Sequence, residues 1–195
     1  MKISSLLLLL PTLLLTGCLS PGPSPSVRYF RITERAPAPE VVGSIDTPTQ
    51  IGPVEIAPYL RRPQRAIRQG GQEIVYQEFE RWAEPLEINL ADTLTRDLAA
   101  LLGSEQIIAY SPRMANNSIP QQLRLHIHRF DVNNQGLAEL LATYSLITDP
   151  STVPPVHRFQ ATLQAADPST AAQVAALNSL VHQLADALAP TLATK

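Results

Sequence analysis

The 195-residue chain carries a formal net charge of −2 at neutral pH, is 45% hydrophobic and contains one cysteine. A single cysteine excludes internal disulfides and cysteine-based zinc clusters, and the charge balance excludes the clustered basic excess of a nucleic-acid binder. The length suits one domain with a core of its own.

The first element is an export signal. Met1 and Lys2 form a short positive head, and residues 3–15 are an apolar run too short for a bilayer span, which takes about 20 residues. Thr16 and Gly17 give a peptidase unhindered backbone, and Leu15-Thr16-Gly17-Cys18 is similar to a bacterial lipobox. The similarity implies a diacylglyceryl thioether on Cys18, cleavage before it, and two or three acyl chains (palmitate or its like) on the new N-terminus. Residues 1–17 are therefore read as a signal peptide and Cys18 as the lipidation site. One chain holds a protein marginally, whereas two hold it stably. Leu19 stands where an inner-membrane lipoprotein tends to carry Asp, which implies sorting to the outer membrane, facing the periplasm. Cleavage takes Lys2 with it and moves the formal charge from −2 to −3.

Residues 18–26 join the anchor to the fold. Pro21, Pro23 and Pro25 alternate with Gly and Ser, so residues 19–26 stay extended and reach up to about 25 Å at roughly 3.1 Å per residue. Residues 27–195 form the single folded domain, with a Pro-rich loop at 36–39.

Strands come first in that domain. Residues 27–32 (VRYFRI) alternate, with Arg28 and Phe30 on one side and Tyr29 and Arg31 on the other. Residues 50–56 (QIGPVEI) are a second strand, where Pro53 marks an edge or a bulge. Residues 64–68 and 73–76 flank Gly70-Gly71, a hairpin turn that glycine's access to positive φ permits. Then the period changes. After Pro85, Leu86, Leu90, Leu94, Leu98, Leu101 and Leu102 recur at helical spacing, and Gly103 caps the end. Residues 106–110 read as a short buried strand. Residues 123–132, 138–147 and 157–165 alternate as an antiparallel meander, turning at 133–136 and 150–155. Pro168-Ser169-Thr170 opens a last helix whose stripe Val174, Leu177, Val181, Leu184 and Leu188 packs on the sheet rather than in a coiled coil. The expected class is α+β: a mixed, mostly antiparallel sheet with two main helices on one face.

Catalytic patterns are absent: no Gly-rich phosphate loop, nucleophile elbow or HExxH stretch occurs. His126 and His128, two apart on a strand, share the face opposite Leu123, Leu125 and Ile127, and a neighbouring strand could bring His157 alongside. They are read as polar residues on a wet face, with no metal and no cofactor. Glu78 and Glu80, alternating around Phe79, are read as solvated charges rather than an acid/base pair. No catalytic residue is assigned.

Three stretches point elsewhere: Ile51-Gly52-Pro53-Val54, Ala57-Pro58-Tyr59-Leu60-Arg61-Arg62-Pro63-Gln64, and Glu78-Phe79-Glu80-Arg81-Trp82-Ala83-Glu84-Pro85-Leu86. Together with the Leu98-to-Gly103 helix end and Tyr110 with Pro112, they resemble the PqiC-type family, the auxiliary lipoproteins of ABC-type and MCE-type transport systems. The resemblance covers about residues 29–188 and is densest between 51 and 112. It implies a lipoprotein without enzymatic activity that docks a PqiB-like, periplasm-spanning MCE protein onto the outer membrane for transport of lipid or other apolar cargo and for membrane integrity, with a ring of identical subunits in view. Tyr59, Arg61, Arg62 and Trp82 are the candidate interface. Trp82 is either a plug between helix and sheet or an interface anchor. Arg61, Arg62, Arg65 and Arg68, the main basic concentration, are either a solvated hairpin edge or contacts to acidic partner groups or lipid headgroups. Two other classes stay open: a lipid-binding carrier, which needs an apolar cavity between helices and sheet, and a periplasmic enzyme, which needs convergent polar groups such as the three histidines.

Overall fold

A computed structural model describes residues 25–36, 40–112 and 121–193. The export signal, Cys18 and most of the tether lie outside the described residues, as do residues 37–39 of the Pro-rich stretch. In chain order the elements are β1 (Arg28–Phe30), β2 (Thr49–Ile56), a 3-10 turn (Pro58–Arg61), β3 (Gln64–Gln69), β4 (Glu73–Trp82), α1 (Leu86–Leu101), β5 (Ile107–Ala109), β6 (Gln121–Asn133), β7 (Leu137–Ile147), β8 (His157–Gln164) and α2 (Thr170–Leu192).

The eight strands form one mixed α+β sheet in which β6 is central. One of its edges pairs with β7 over ten registered positions, and β8 continues the antiparallel meander. The other edge takes β2 in parallel along its first half and β3 in parallel at Val132 and Asn133. Beyond these lie β5, parallel to β2, and β4 then β1, with β4 antiparallel to β3. The parallel β2–β6 ladder runs over six registered positions, and the two longest ladders, β6–β7 and β7–β8, are antiparallel.

Period-two alternation aims Leu123, Leu125 and Ile127 at the helices, and a register shift between Ile127 and Arg129 re-aims Phe130 and Val132 to the same side. The core is continuous across that face and against both helices. In α1, the six leucines from Leu86 to Leu102 are each 3% exposed or less. At about 1.5–3 kcal/mol per buried side chain, that stripe fixes the helix to the sheet. Its end closes as a Schellman motif: Ser104 N–H donates to Ala99 O at 3.0 Å, Gly103 N–H donates to Ala100 O at 3.4 Å, and Gly103 sits at φ +56°. In α2 the Ser169 hydroxyl accepts from Ala172 N–H, and the apolar stripe packs on β7, β8 and α1. Gly70 and Gly71 take φ +56° and +86° in the β3–β4 turn, as a tight hairpin requires.

Four local expectations change. Pro53 marks a bulge, since the β2–β6 register shifts between Ile51 and Val54, but β2 lies between β5 and β6 and is not an edge. The second hairpin strand runs on to Trp82, because three residues bulge out opposite the Gln64–Arg65 step and pairing then resumes at Gln64↔Arg81. Of residues 106–110 only Ile107–Ala109 form a strand, at the sheet edge, and only Ile107 is buried. Residues 31–35 leave the sheet to lie extended along both helices.

That last segment is held by side chains four residues apart on α2 and eight apart on α1, where Thr93 between them also donates to Ile32 O at 3.3 Å. On α1, Asn89 accepts from Ile32 N–H at 2.7 Å and donates to Ile32 O at 2.9 Å, and Asp97 accepts from Arg35 N–H at 2.8 Å. On α2, Asn178 accepts from Thr33 N–H at 2.9 Å, His182 Nε2 donates to Thr33 O at 3.0 Å, and Asp186 pairs with Arg35 at 2.8 Å. Buried backbone groups must find partners, and here the helix side chains supply them. Asn89→Ala therefore leaves the Ile32 amide short of partners at a cost of about 1–3 kcal/mol per unpaired group. We expect lower stability in urea and faster amide exchange at residues 32–35; unchanged exchange there would show that Asn89 does not hold the segment.

Burial pushes the Asp97 carboxyl above its usual value, and Arg35 N–H and the neighbouring His182 only partly offset this. A raised folded-state pKa favours the protonated form, so this contribution to stability is full at acid pH and is lost as pH rises through the raised value. Asp97→Asn keeps an acceptor for Arg35 and removes the buried charge. Melts between about pH 3 and about pH 7 should be flatter for the variant, which should match or exceed the parent at neutral pH; a variant less stable at neutral pH would show that the charge itself is needed.

Candidate functional site

The 3-10 turn that leads into β3 and the junction between β4 and α1 form the two walls of a cleft of about 420 Å³. Trp82 N–H donates to Pro63 O at 2.7 Å and closes the base between the walls. Trp82, 7% exposed, and Leu86, 3% exposed, with Pro63 and Pro85, give an apolar floor. Arg61 and Arg62 are exposed on one wall, and Glu84 and Glu87 stand on the other. Three of the four candidate interface residues, Arg61, Arg62 and Trp82, thus meet at one place.

Trp82 reconciles its two readings. It belongs to the core cluster, with its ring centroid 6.0 Å from that of Phe130, and it also lines the cleft. Arg62 lies over the Tyr76 ring at 4.5 Å, while Arg61 makes no ion pair among the described residues.

Tyr59 goes elsewhere. Its hydroxyl donates to Asp131 at 2.7 Å on the helix-free face of the sheet. Burial, and then Asp131 itself, push the phenol above its ordinary value, so it remains a donor. The same network contains Arg68, which reaches Asp131 at 3.1 Å and Glu139 at 3.0 Å, and Arg129, which reaches Glu139 at 2.9 Å. Its charges balance, so these groups compensate their burial rather than offering free charge. Arg65 is the second exception among the basic residues. It is 1% exposed and pairs with Glu80 at 2.7 Å on the helix side, where Gln173 of α2 also accepts from it. Glu80 accepts from Thr170 and Arg28 as well. Burial pushes its carboxyl up, but Thr170, Arg28 and Arg65 outweigh that and hold it below the usual glutamate value. Glu80 is therefore a structural counter-ion and not a solvated charge, and Arg65 and Arg68 belong to neither of the two arginine readings. Their spacing on β3 puts them on opposite faces but carried no signal of the partners, because those partners are 15 to 108 residues away in sequence.

The histidines divide by face. His126 and His128 stack at 4.3 Å on the helix-free side, His128 within 2.9 Å of the Thr143 hydroxyl. His157 pairs in register with Tyr144, which pairs with the core-facing Leu125, so its ring stacks on Tyr144 on the opposite side of the sheet. The three imidazoles do not converge. Partial desolvation first, then the nearby His126 and Arg158, hold His128 below the ordinary imidazole value. Among the described residues no group of three or more His, Cys, Asp or Glu is placed to hold a metal ion, and no helix is long and apolar enough to cross a membrane.

Residues 30–189 match the family model of the ABC-type transport auxiliary lipoprotein component. The chain belongs to that family. A crystal structure of an uncharacterized protein aligns with TM-score 0.69 and 16% identity, over 87% of this chain and all of that one. A Xanthomonas campestris protein aligns with TM-score 0.63 and 17% identity, over 86% of this chain and 95% of that one. At these identities the likeness shows the shared fold. No curated protein matches the sequence. The auxiliary lipoprotein is thus a component of a transport system, as its resemblance to the PqiC-type family implied.

The two kinds of residue at the cleft should respond differently to substitution. Trp82→Ala opens the core beneath the first turn of α1 and should cost about 3–5 kcal/mol in thermal or chemical unfolding. Arg61→Glu with Arg62→Glu alters exposed charges and should change stability by less than about 0.5 kcal/mol. A Trp82→Ala melt equal to the parent's would place that ring on the surface alone.

Proposed function

We propose that this auxiliary lipoprotein is anchored in the outer membrane through acylated Cys18 and docks a periplasm-spanning MCE-domain protein there, so that lipid or other apolar cargo passes between the membranes. The observation that carries the reading is the family match over residues 30–189, standing directly behind a lipobox at residues 15–18 and a proline-rich tether. In this role the protein performs no chemistry. The acyl chains fix one end, residues 19–26 set a standoff of up to about 25 Å, and the domain of residues 27–195 presents a binding surface. The cleft supports the reading, because an apolar floor beside exposed arginines has the make-up of an interaction hot spot. Several copies arranged as a ring would present that surface symmetrically around the channel.

The carrier alternative needs an apolar cavity between helices and sheet. That space is instead filled by the interdigitated leucines of α1, the stripe of α2 and the core face of β6, nearly all below 5% exposed. Docking is therefore the better supported function.

Cys18→Ser tests the anchor. Oxygen at that position lacks the nucleophilicity of a thiolate, so labelled fatty acid should no longer be incorporated and the chain should leave the membrane fraction. Label persisting on the variant would place the anchor elsewhere. Crosslinking in intact envelopes tests the partner: an MCE-domain protein recovered with the parent supports the proposal, and its absence under conditions that capture other envelope complexes refutes it.

A further inference from the structure

From the cleft at the β4–α1 junction we infer a peptide-recognition site, specific for an extended segment with an acidic group on one side of an aliphatic residue and a basic group on the other. This rests on the docking function proposed above and adds the chemistry that the cleft recognises.

Three observations lead there. First, the walls carry opposite charge. Among the described residues Arg61 makes no ion pair and Arg62 covers only the Tyr76 ring, so both guanidinium groups remain available to a carboxylate. On the facing wall Glu84 is partly neutralised by Arg31 at 3.7 Å, whereas Glu87 has no ion-pair partner among the described residues. A ligand that is purely acidic meets Glu87, and a purely basic one meets the arginines, so a segment bearing both charges in the right order fits best. Second, the space between them is apolar and sized for a small group, within the roughly 300–1,000 Å³ of ligand pockets. Third, the floor is closed. The Trp82-to-Pro63 backbone hydrogen bond and the buried Leu86 leave no channel into the core, which suits one inserted side chain and does not suit a long acyl chain.

Trp82 is the chain's only tryptophan, so its fluorescence reports directly on occupancy of the floor. The probes are acetylated, amidated tetrapeptides: Asp-Asp-Leu-Lys, its Leu-to-Ala analogue, and Lys-Lys-Leu-Lys. With the full-length lipoprotein in detergent, the first should shift Trp82 emission saturably and bind at least tenfold tighter than the other two. Arg61→Glu with Arg62→Glu should remove at least a tenfold part of that affinity, and Arg61→Lys with Arg62→Lys should restore most of it. The inference is overturned if no peptide moves the emission, if all three bind alike, if the charge-reversed variant binds as the parent does, or if phosphatidylethanolamine vesicles move the emission and the peptides do not. Capture of an MCE-domain protein in crosslinked envelopes is scored separately: capture without peptide binding leaves docking intact and refutes this chemistry, whereas peptide binding without such capture supports the site and refutes that partner.

Discussion

The fold depends on one constraint, that β6 must keep a single apolar face while pairing with different strands along both edges. Thirteen residues of strand cannot hold strict alternation against β2, β3 and β7 together, and the register slips between Ile127 and Arg129. The slip keeps Phe130 and Val132 on the side of Leu123, Leu125 and Ile127, and it turns Arg129 and Asp131 onto the helix-free face. Everything that covers the core follows. Both helices lie on the apolar side, and the charged groups turned outward are collected with Tyr59, Arg68 and Glu139 into a balanced network.

The chain's polar economy has the same character elsewhere. Few buried polar side chains stand alone: Arg65 has Glu80 and Gln173, Asn89 has the Ile32 backbone, and Asp131 has Arg68 and Tyr59. Breaking one partner of such a pair leaves an uncompensated group, which costs more than the pair itself contributes. Against that background the arginines at the cleft are distinct. They are exposed, they have no carboxylate partner among the described residues, and they stand beside an apolar floor.

Local signals were legible in the sequence because they act locally. Six leucines at helical spacing before a glycine gave α1, alternation in residues 157–165 gave β8, and the Gly70-Gly71 pair gave the first hairpin. What stayed hidden depends on residues far apart. Nothing near Arg65 or Arg68 announces Glu80 or Glu139, and nothing near Thr33 announces Asn178 or His182. The placement of β2 inside the sheet was likewise unreadable, since Pro53 is compatible with either an edge or a bulge and only the β5 and β6 pairings decide. At the candidate site, Arg61, Arg62 and Trp82 could be chosen from the motifs that flank them, but Tyr59 shares their motif and faces a different way. A four-residue 3-10 turn separates side chains that are adjacent in sequence.

The position of the cleft also connects it to the N-terminal segment. Ala83 N–H donates to Phe30 O at 2.8 Å, and Arg31 reaches Glu84 on the cleft wall, so β1 runs directly past the candidate site before its continuation is held between the two helices. With Cys18 as the proposed anchor, a pull toward the membrane enters the domain through β1. It meets first the parallel ladder to β4 and then the hydrogen bonds of Asn89, Asp97, Asn178 and His182 to residues 32–35. Force applied along an extended segment loads those bonds together rather than one after another. A partner seated in the cleft would lie beside the point where the tether enters the fold, so the load between membrane and partner would cross only β1, the end of β4 and the first turn of α1. The rest of the sheet would be left out of that path, which is consistent with a core built for packing and with the proposed binding surface at the β4–α1 junction.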